Sequence, residues 1–351
     1  MDLKKRNLSL DVMRTVAVLL VLMVYASAFL YGYAESALLE RNCGLFFEIF
    51  SRIGVPLFVM ISGALMLNED KIMSTERILK KAGHMFILLV IWSFGYAFVY
   101  QIMFPVLLGN RDVSVSKFIH ESIFGHFHLR YLYMLIGLYI ITPFLREFVK
   151  REKKKLVLLF IGIALIAKFT IPILAGMLPQ VEFFISVERF VRMFNLDFFF
   201  GFTTYYLAGW YIVYFGISTV WKRCMLYFAA VASLLVNGLF MIKIGDENIG
   251  FSNISIFTFI YAAAVFTFIS NISFDNIHEK IKKNIVNFSN LCFGIYVVHA
   301  VIIDVFHHVF PYSANPLAYI LLSYITTVVI TYIIALVMSK IPYVKKLVYF
   351  N

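Results

Sequence analysis

The sequence predicts an all-α, polytopic integral membrane protein of about ten transmembrane helices with both termini cytoplasmic. Three observations carry that prediction. Of the 351 residues, 62% are hydrophobic and only 15% charged, whereas soluble domains are about half apolar and a quarter charged. Apolar runs long enough to cross a bilayer recur along the whole chain. Finally, the basic residues gather in every second loop between those runs, which is how cytoplasmic loops orient helices.

The expected spans are 9–31, 46–67, 84–104, 129–145, 156–177, 196–216, 224–244, 251–271, 289–310 and 317–339. The first follows the basic flank MDLKKRN. It is too long for a signal-peptide core and lacks an A-x-A-like cleavage site, so it is expected to remain as a span. Lys4, Lys5 and Arg6 precede it; Lys71, Arg77, Lys80 and Lys81 follow the second span, and Arg146 with Lys150 to Lys155 follows the fourth. Lys222 and Arg223, then Lys280, Lys282 and Lys283, then Lys340, Lys345 and Lys346 fall on the same side if ten spans alternate. The other side holds Asp246 and Glu247 and the turn from Pro311 to Pro316. The loop 178–195 reads as either an amphipathic helix lying along the surface or a longer loop, because VEFFISVERFVRMF spaces its apolar residues helically.

The formal charge of +11 would suggest nucleic acid in a soluble chain, but here it belongs to helix orientation, and no nucleic-acid partner is expected. Cys43, Cys224 and Cys292 are odd in number and far apart, so free thiols are expected rather than disulfides or a metal site. The whole of 1–351 reads as one transmembrane domain in a cell membrane (inner or plasma). It shows no separate soluble domain, low-complexity segment or internal repeat. Lipids are its surroundings, and association with further copies is left open.

Charges at membrane depth cost several kcal/mol unless paired or facing a wet cavity, so each marks a candidate site. In LDVMRTVAVLLVLMVYASAF, Asp11 and Arg14 are three apart and share a face. Arg14, Val18, Val21 and Tyr25 continue one stripe, with Arg14 and Tyr25 about 16 Å apart along the axis. Snorkelling of the pair to the interface is the competing reading. In SRIGVPLFVMISGALML, Arg52 precedes Pro56 and the Ser62–Gly63 pair, which reads either as close packing or as a direct role for Ser62. In GHFHLRYLYMLIGLYIITPFL, His126, His128 and Arg130 stand at the mouth of a span. The His-x-His spacing alternates and has no acidic partner, so no metal is expected. In LCFGIYVVHAVIIDVFHH, His299 lies within an apolar helix, either as a packing residue or as one that handles protons.

Taken together, these stretches resemble acyltransferase family 3, which includes polysaccharide O-acetyltransferases such as that of the enterobacterial common antigen. SLDVMRTVAVLLVLMVY, VPLFVMISGALML, TERILKK, HLRYLYMLIGLYIITPFL and FGIYVVHAVII carry the resemblance, in family order, over about 300 residues. It implies transfer of an acyl group, usually acetyl, from acyl-CoA to a hydroxyl of an envelope or exported polysaccharide or glycolipid. Acetyl-CoA is then a donor substrate, not a resident cofactor. The family's first span carries an arginine, ten residues, then a histidine; Arg14 matches, but Tyr25 holds the histidine position. Arg130 likewise stands where the family has an aromatic. Ser62, Gly63 and His299 match, while Arg77 and approximately Lys80 match a basic pair associated with acyl-CoA. The resemblance thus puts Tyr25, Arg14 and His299 in the catalytic set, and Asp11 joins them as the acid that shares a face with Arg14. Arg77, Lys80, Arg52, Ser62, His128 and Arg130 form the substrate-binding set. A phenol with pKa near 10 is ionised in about one molecule in a thousand at pH 7, which predicts impaired turnover for the chain as written. A catalytically silent carbohydrate- or lipid-binding protein, or a precursor transporter, is the competing expectation.

Overall fold

The computed structural model describes residues 7–32, 38–71, 73–107, 114–196, 199–243, 246–312 and 315–349. Lys4, Lys5 and Arg6, and the centre of the Pro311–Pro316 turn, lie outside the described residues. No strand occurs among the described residues. Among the described residues, eight helical stretches are long and apolar enough to cross a membrane: Leu8–Leu30, Leu38–Met66, Thr75–Leu107, Val115–Phe148, Arg151–Met177, Val220–Lys243, Glu279–Val309 and Pro316–Lys340. The chain is therefore an all-α multi-pass membrane protein. By contact, its helices fall into two compact units, residues 1–68 with 151–351, and residues 69–150.

The larger unit opens with α1 (Leu8–Gly32), α2 (Leu38–Ser51) and α3 (Gly54–Met66). The second span thus begins at 38 rather than at the expected 46. The added turns, LLERNCGL, carry Glu40 and Arg41 and so fall below a hydropathy threshold. The break between α2 and α3 has a local cause. Pro56 cannot donate to the carbonyl of residue 52 and its ring crowds that carbonyl, so the chain turns at Arg52 and Ile53.

The smaller unit holds α4 (Thr75–Phe98), a π-helical turn at Val99–Met103, α5 (Phe104–Leu107), α6 (Val115–Phe124) and α7 (Arg130–Phe148). Helix α4 packs against α6 and α7. Ser74 caps α4 by accepting the Arg77 N–H at 3.3 Å, which satisfies one of the orphan donors of the first turn. Gly125 ends α6 at φ 69°, and a Cβ there would stand 2.7 Å from Ser93 Oγ. Only glycine meets both constraints without strain.

The larger unit resumes with α8 (Lys154–Ala164), a second π-helical turn at Leu165–Thr170, α9 (Ile171–Met177), α10 (Glu182–Arg192) and α11 (Phe202–Phe215). The 178–195 region is therefore helical over Glu182–Arg192, and it buries none of its residues. Then follow α12 (Val220–Lys243), α13 (Glu247–Gly250), α14 (Ile256–Ser270), α15 (Glu279–Val309), α16 (Pro316–Lys340) and α17 (Lys345–Val348). Helices α11 and α14, where two more spans were expected, have 14 and 15 residues. At 1.5 Å per residue these reach only about 21–23 Å.

Helix α1 sits centrally in this unit, against α2, α3, α15 and α16. Helix α11 survives its shortness by burial on nearly every side, from Thr203 through Trp210. Its crossing with α3 is backbone against backbone. A Cβ at Gly63 would lie 1.9 Å from the Tyr206 carbonyl oxygen, and one at Gly209 would lie 2.0 Å from that of Met60. Two glycines facing one another let membrane helices approach this closely. Ser62, beside that crossing, is half-buried.

Candidate active site

The expected stripe on α1 meets a matching stripe on α15, and the two helices run parallel. At one end, Asp11 is almost wholly buried and pairs with Arg14 Nη1 at 3.1 Å. Ser289 of α15 donates its hydroxyl to the same Asp11 oxygen at 2.7 Å, and Arg14 Nη1 also reaches Ser289 Oγ at 3.4 Å. The pair is therefore not a mere interfacial snorkel: its carboxylate is inside and bonded across helices. Ten residues further along α15, about 15 Å at helical rise, His299 is fully buried and its ring centroid lies 4.7 Å from that of Tyr25. A third rung follows where Phe29 stacks on His307 at 4.1 Å. His307 Nδ1 stands 2.8 Å from the Tyr319 hydroxyl of α16.

His299 Nδ1 contacts the Tyr296 carbonyl oxygen. A carbonyl only accepts, so Nδ1 carries the hydrogen and Nε2 holds the lone pair. The tautomer that can act as a base is thus set by the preceding turn of α15. An imidazole, which the family pattern has at position 25, thus stands beside Tyr25, from position 299.

A second polar cluster ties α2 to the Tyr25 end of α1. Glu48 is buried and ion-paired with Arg52. Ser27 Oγ stands 3.3 Å from Glu48 Oε2 while also reaching the Met23 carbonyl at 2.9 Å. The Arg52 guanidinium lies over the Phe251 ring at 4.8 Å, a cation–π contact that holds it at the break after α2. Neither Glu48 nor Ser289 was singled out from sequence. Both had a signal: Glu48 precedes Arg52 by four in an apolar run, and Ser289 lies ten residues before His299 on a helix whose polar residues recur at 289, 292, 296 and 299.

The smaller unit carries the remaining candidates. Arg77 and Lys80 are exposed on the first turns of α4, with Lys80 2.7 Å from Glu76. His128 is buried and its Nδ1 lies 2.9 Å from His126 Nδ1. His126 in turn stacks on Tyr96 and Tyr100, at 4.9 and 4.8 Å. Arg130 is exposed at the start of α7. Among the described residues, no three His, Cys, Asp or Glu side chains gather where a metal could be held.

The structure thus defines a multi-pass helical membrane protein with an ion pair and an imidazole buried along one parallel helix seam, and sequence comparison gives its class. The acyltransferase domain of family 3 matches residues 7–336, nearly the whole chain. This chain therefore belongs to that family and is a membrane acyltransferase by domain. No curated protein and no solved structure matches it.

Proposed function

We propose that this protein moves an acyl group, in the first instance acetyl, from acyl-CoA to a hydroxyl of a cell-envelope or exported polysaccharide or glycolipid. The observation supporting this reading is the contact between Tyr25 and His299 at the far end of the Arg14 stripe. In the proposed step, His299 Nε2 takes the proton of the acceptor hydroxyl as its oxygen attacks the thioester carbonyl. Collapse of the tetrahedral intermediate breaks the C–S bond, and CoA leaves as the thiolate, which takes up a proton. An imidazole suits this because its pKa lies close to ambient pH. The Tyr25 hydroxyl serves as a hydrogen-bonding group, since a phenol with its ordinary pKa near 10 stays almost wholly protonated at pH 7. Asp11 and Ser289 hold Arg14 in place. Arg77 and Lys80, exposed at the start of α4, are the groups proposed for the CoA phosphates.

The test uses membranes containing the full chain, labelled acetyl-CoA and a panel of polysaccharide acceptors. We expect measurable transfer by the chain as written, a clear gain in Tyr25→His, and loss of both in His299→Gln. Absence of thioester cleavage with every acceptor, in the Tyr25→His form as well, would rule the reading out.

A further inference from the structure

Helix α1 has two opposite faces. With roughly 3.6 residues per turn, Val16, Leu19, Leu20 and Met23 stand about 180° from the Arg14–Tyr25 stripe that meets α15. These four side chains lie in the middle of the span Leu8–Leu30 and are only half-buried, although α1 packs elsewhere on α2, α3, α15 and α16. They form the floor of a groove of about 270 Å³. Phe47 and Phe50 of α2 stand on one side of it, and Tyr324 of α16 on the other. Phe46, which also lines it, and Phe50 are 65% and 44% exposed. The groove therefore opens on a surface that faces lipid in a membrane-spanning helix.

Two properties limit what it holds. The first is chemical. No charged side chain lines the groove, and its polar members are Tyr324 and the fully buried Ser51. A water needs two to four polar partners, and aliphatic and phenyl walls do not supply them. The second is width. Helices α2 and α16 touch one another. At the Leu30 end the groove is closed by a cluster in which Leu30, Phe306, Tyr319 and Ile320 pack with Met23 and Phe47. A slot between two helices in contact is too narrow for a third helix of about 10 Å diameter, but it takes a single hydrocarbon chain. Hydrocarbon is also what surrounds its mouth, and a chain inside restores the dispersion contacts that the lining otherwise lacks.

We propose that this groove seats one acyl chain of a bilayer phospholipid, inserted between α2 and α16 against the back of α1. The site is separate from the Tyr25–His299 contact and does not depend on the acyltransfer reading. A chain there occupies the space into which α1 would recede from α15, so it supports from behind the helix that carries Arg14 and Tyr25.

The test uses the full-length protein in nanodiscs of phosphatidylcholine, with a trace of phosphatidylcholine bearing a diazirine at the end of one acyl chain. Illumination expels nitrogen and leaves a carbene that inserts into neighbouring C–H bonds, and the adducts are mapped by peptide mass spectrometry. We expect labels on α1 within Val16–Met23 and on Phe47. Phe228 and Leu235 of α12, which are 77% and 62% exposed, serve as the lipid-facing control and should be labelled too. Leu20→Trp fills the groove and should abolish the α1 label while leaving the α12 label and the melting temperature unchanged. Val16→Phe, a smaller filling, repeats the test where the tryptophan does not fold. Absence of α1 labels beside normal α12 labels overturns the proposal, as does an α1 label that survives both substitutions. Loss of the α1 label on adding a trace of an isoprenoid phosphate would give the groove to a branched chain and overturn the phospholipid. Disulfide-linked dimers formed by Phe46→Cys, and not by the unaltered chain, would give it to a second copy and overturn it likewise.

Discussion

Helix α1 is fastened by two polar clusters built on the same plan, and they differ in one respect. Each has a buried carboxylate paired with an arginine three or four residues further along the chain, Asp11 with Arg14 and Glu48 with Arg52, plus a serine from a neighbouring helix. At the Arg14 end the serine bond is short, 2.7 Å, and goes to α15. At the Tyr25 end the serine is 3.3 Å from the carboxylate and also faces its own Met23 carbonyl at 2.9 Å. The first cluster therefore locks the register of α1 against α15. The second leaves that register, near Tyr25 and His299, to ring contact. One end of the helix is thus fixed across helices by a short hydrogen bond, while ring contact contributes to the fastening at the other.

The largest effect should come from the ring-packed end. His299→Gln is expected to lower acyl transfer by about 10²- to 10⁴-fold, the usual worth of a general base, with melting temperature little changed; a neutral result would move the base elsewhere. Next come the ion pairs. Arg14→Met and Arg52→Met each strand a buried carboxylate, and each should destabilise by about 3 kcal/mol, read by chemical denaturation in micelles. The double variant Asp11→Asn/Arg14→Met should recover most of that loss. If only one arginine mattered, the common plan of the two clusters would be broken.

A purely steric fastening gives a reference for these polar ones. Gly63→Ala forces α3 and α11 apart and should cost about 1–3 kcal/mol. Gly137→Ala, on α7, where a Cβ would meet nothing within 4 Å, should be neutral or slightly stabilising. The smallest effects belong to the serines. Ser289→Ala should cost about 1 kcal/mol, and Ser27→Ala less, because its proton has a backbone acceptor on the same helix. Equal losses would mean that the two ends are fastened alike.

Much of the candidate site was legible because charge is rare in an apolar run. Asp11 and Arg14 declared themselves by spacing alone, and His299 by being an imidazole among Ile, Val and Ala. Glu48 was harder to see. It lies only two residues inside the expected 46–67 span, where an acid reads as an interfacial residue. Ser289 was harder still, since a serine in a membrane helix costs little and therefore signals little. The Arg52 break was written in Pro56, but its packing on Phe251 joins residues 199 positions apart and has no local trace.

By itself, the sequence determined the class of this protein. The excess of apolar residues, their grouping into runs and the placement of charge permit only a helical membrane protein, because backbone groups in lipid must be satisfied within the helix. It also singled out Asp11, Arg14 and His299 as candidates, since ionisable groups at membrane depth are costly. Only the tertiary structure decided which of them meet. That Tyr25 faces His299 and that Asp11 is bonded from α15 depend on the register and approach of separate helices. Those are fixed by packing such as the Gly63 and Gly209 crossing. Helical periodicity tells which residues share one face, but never which face of another helix they will meet.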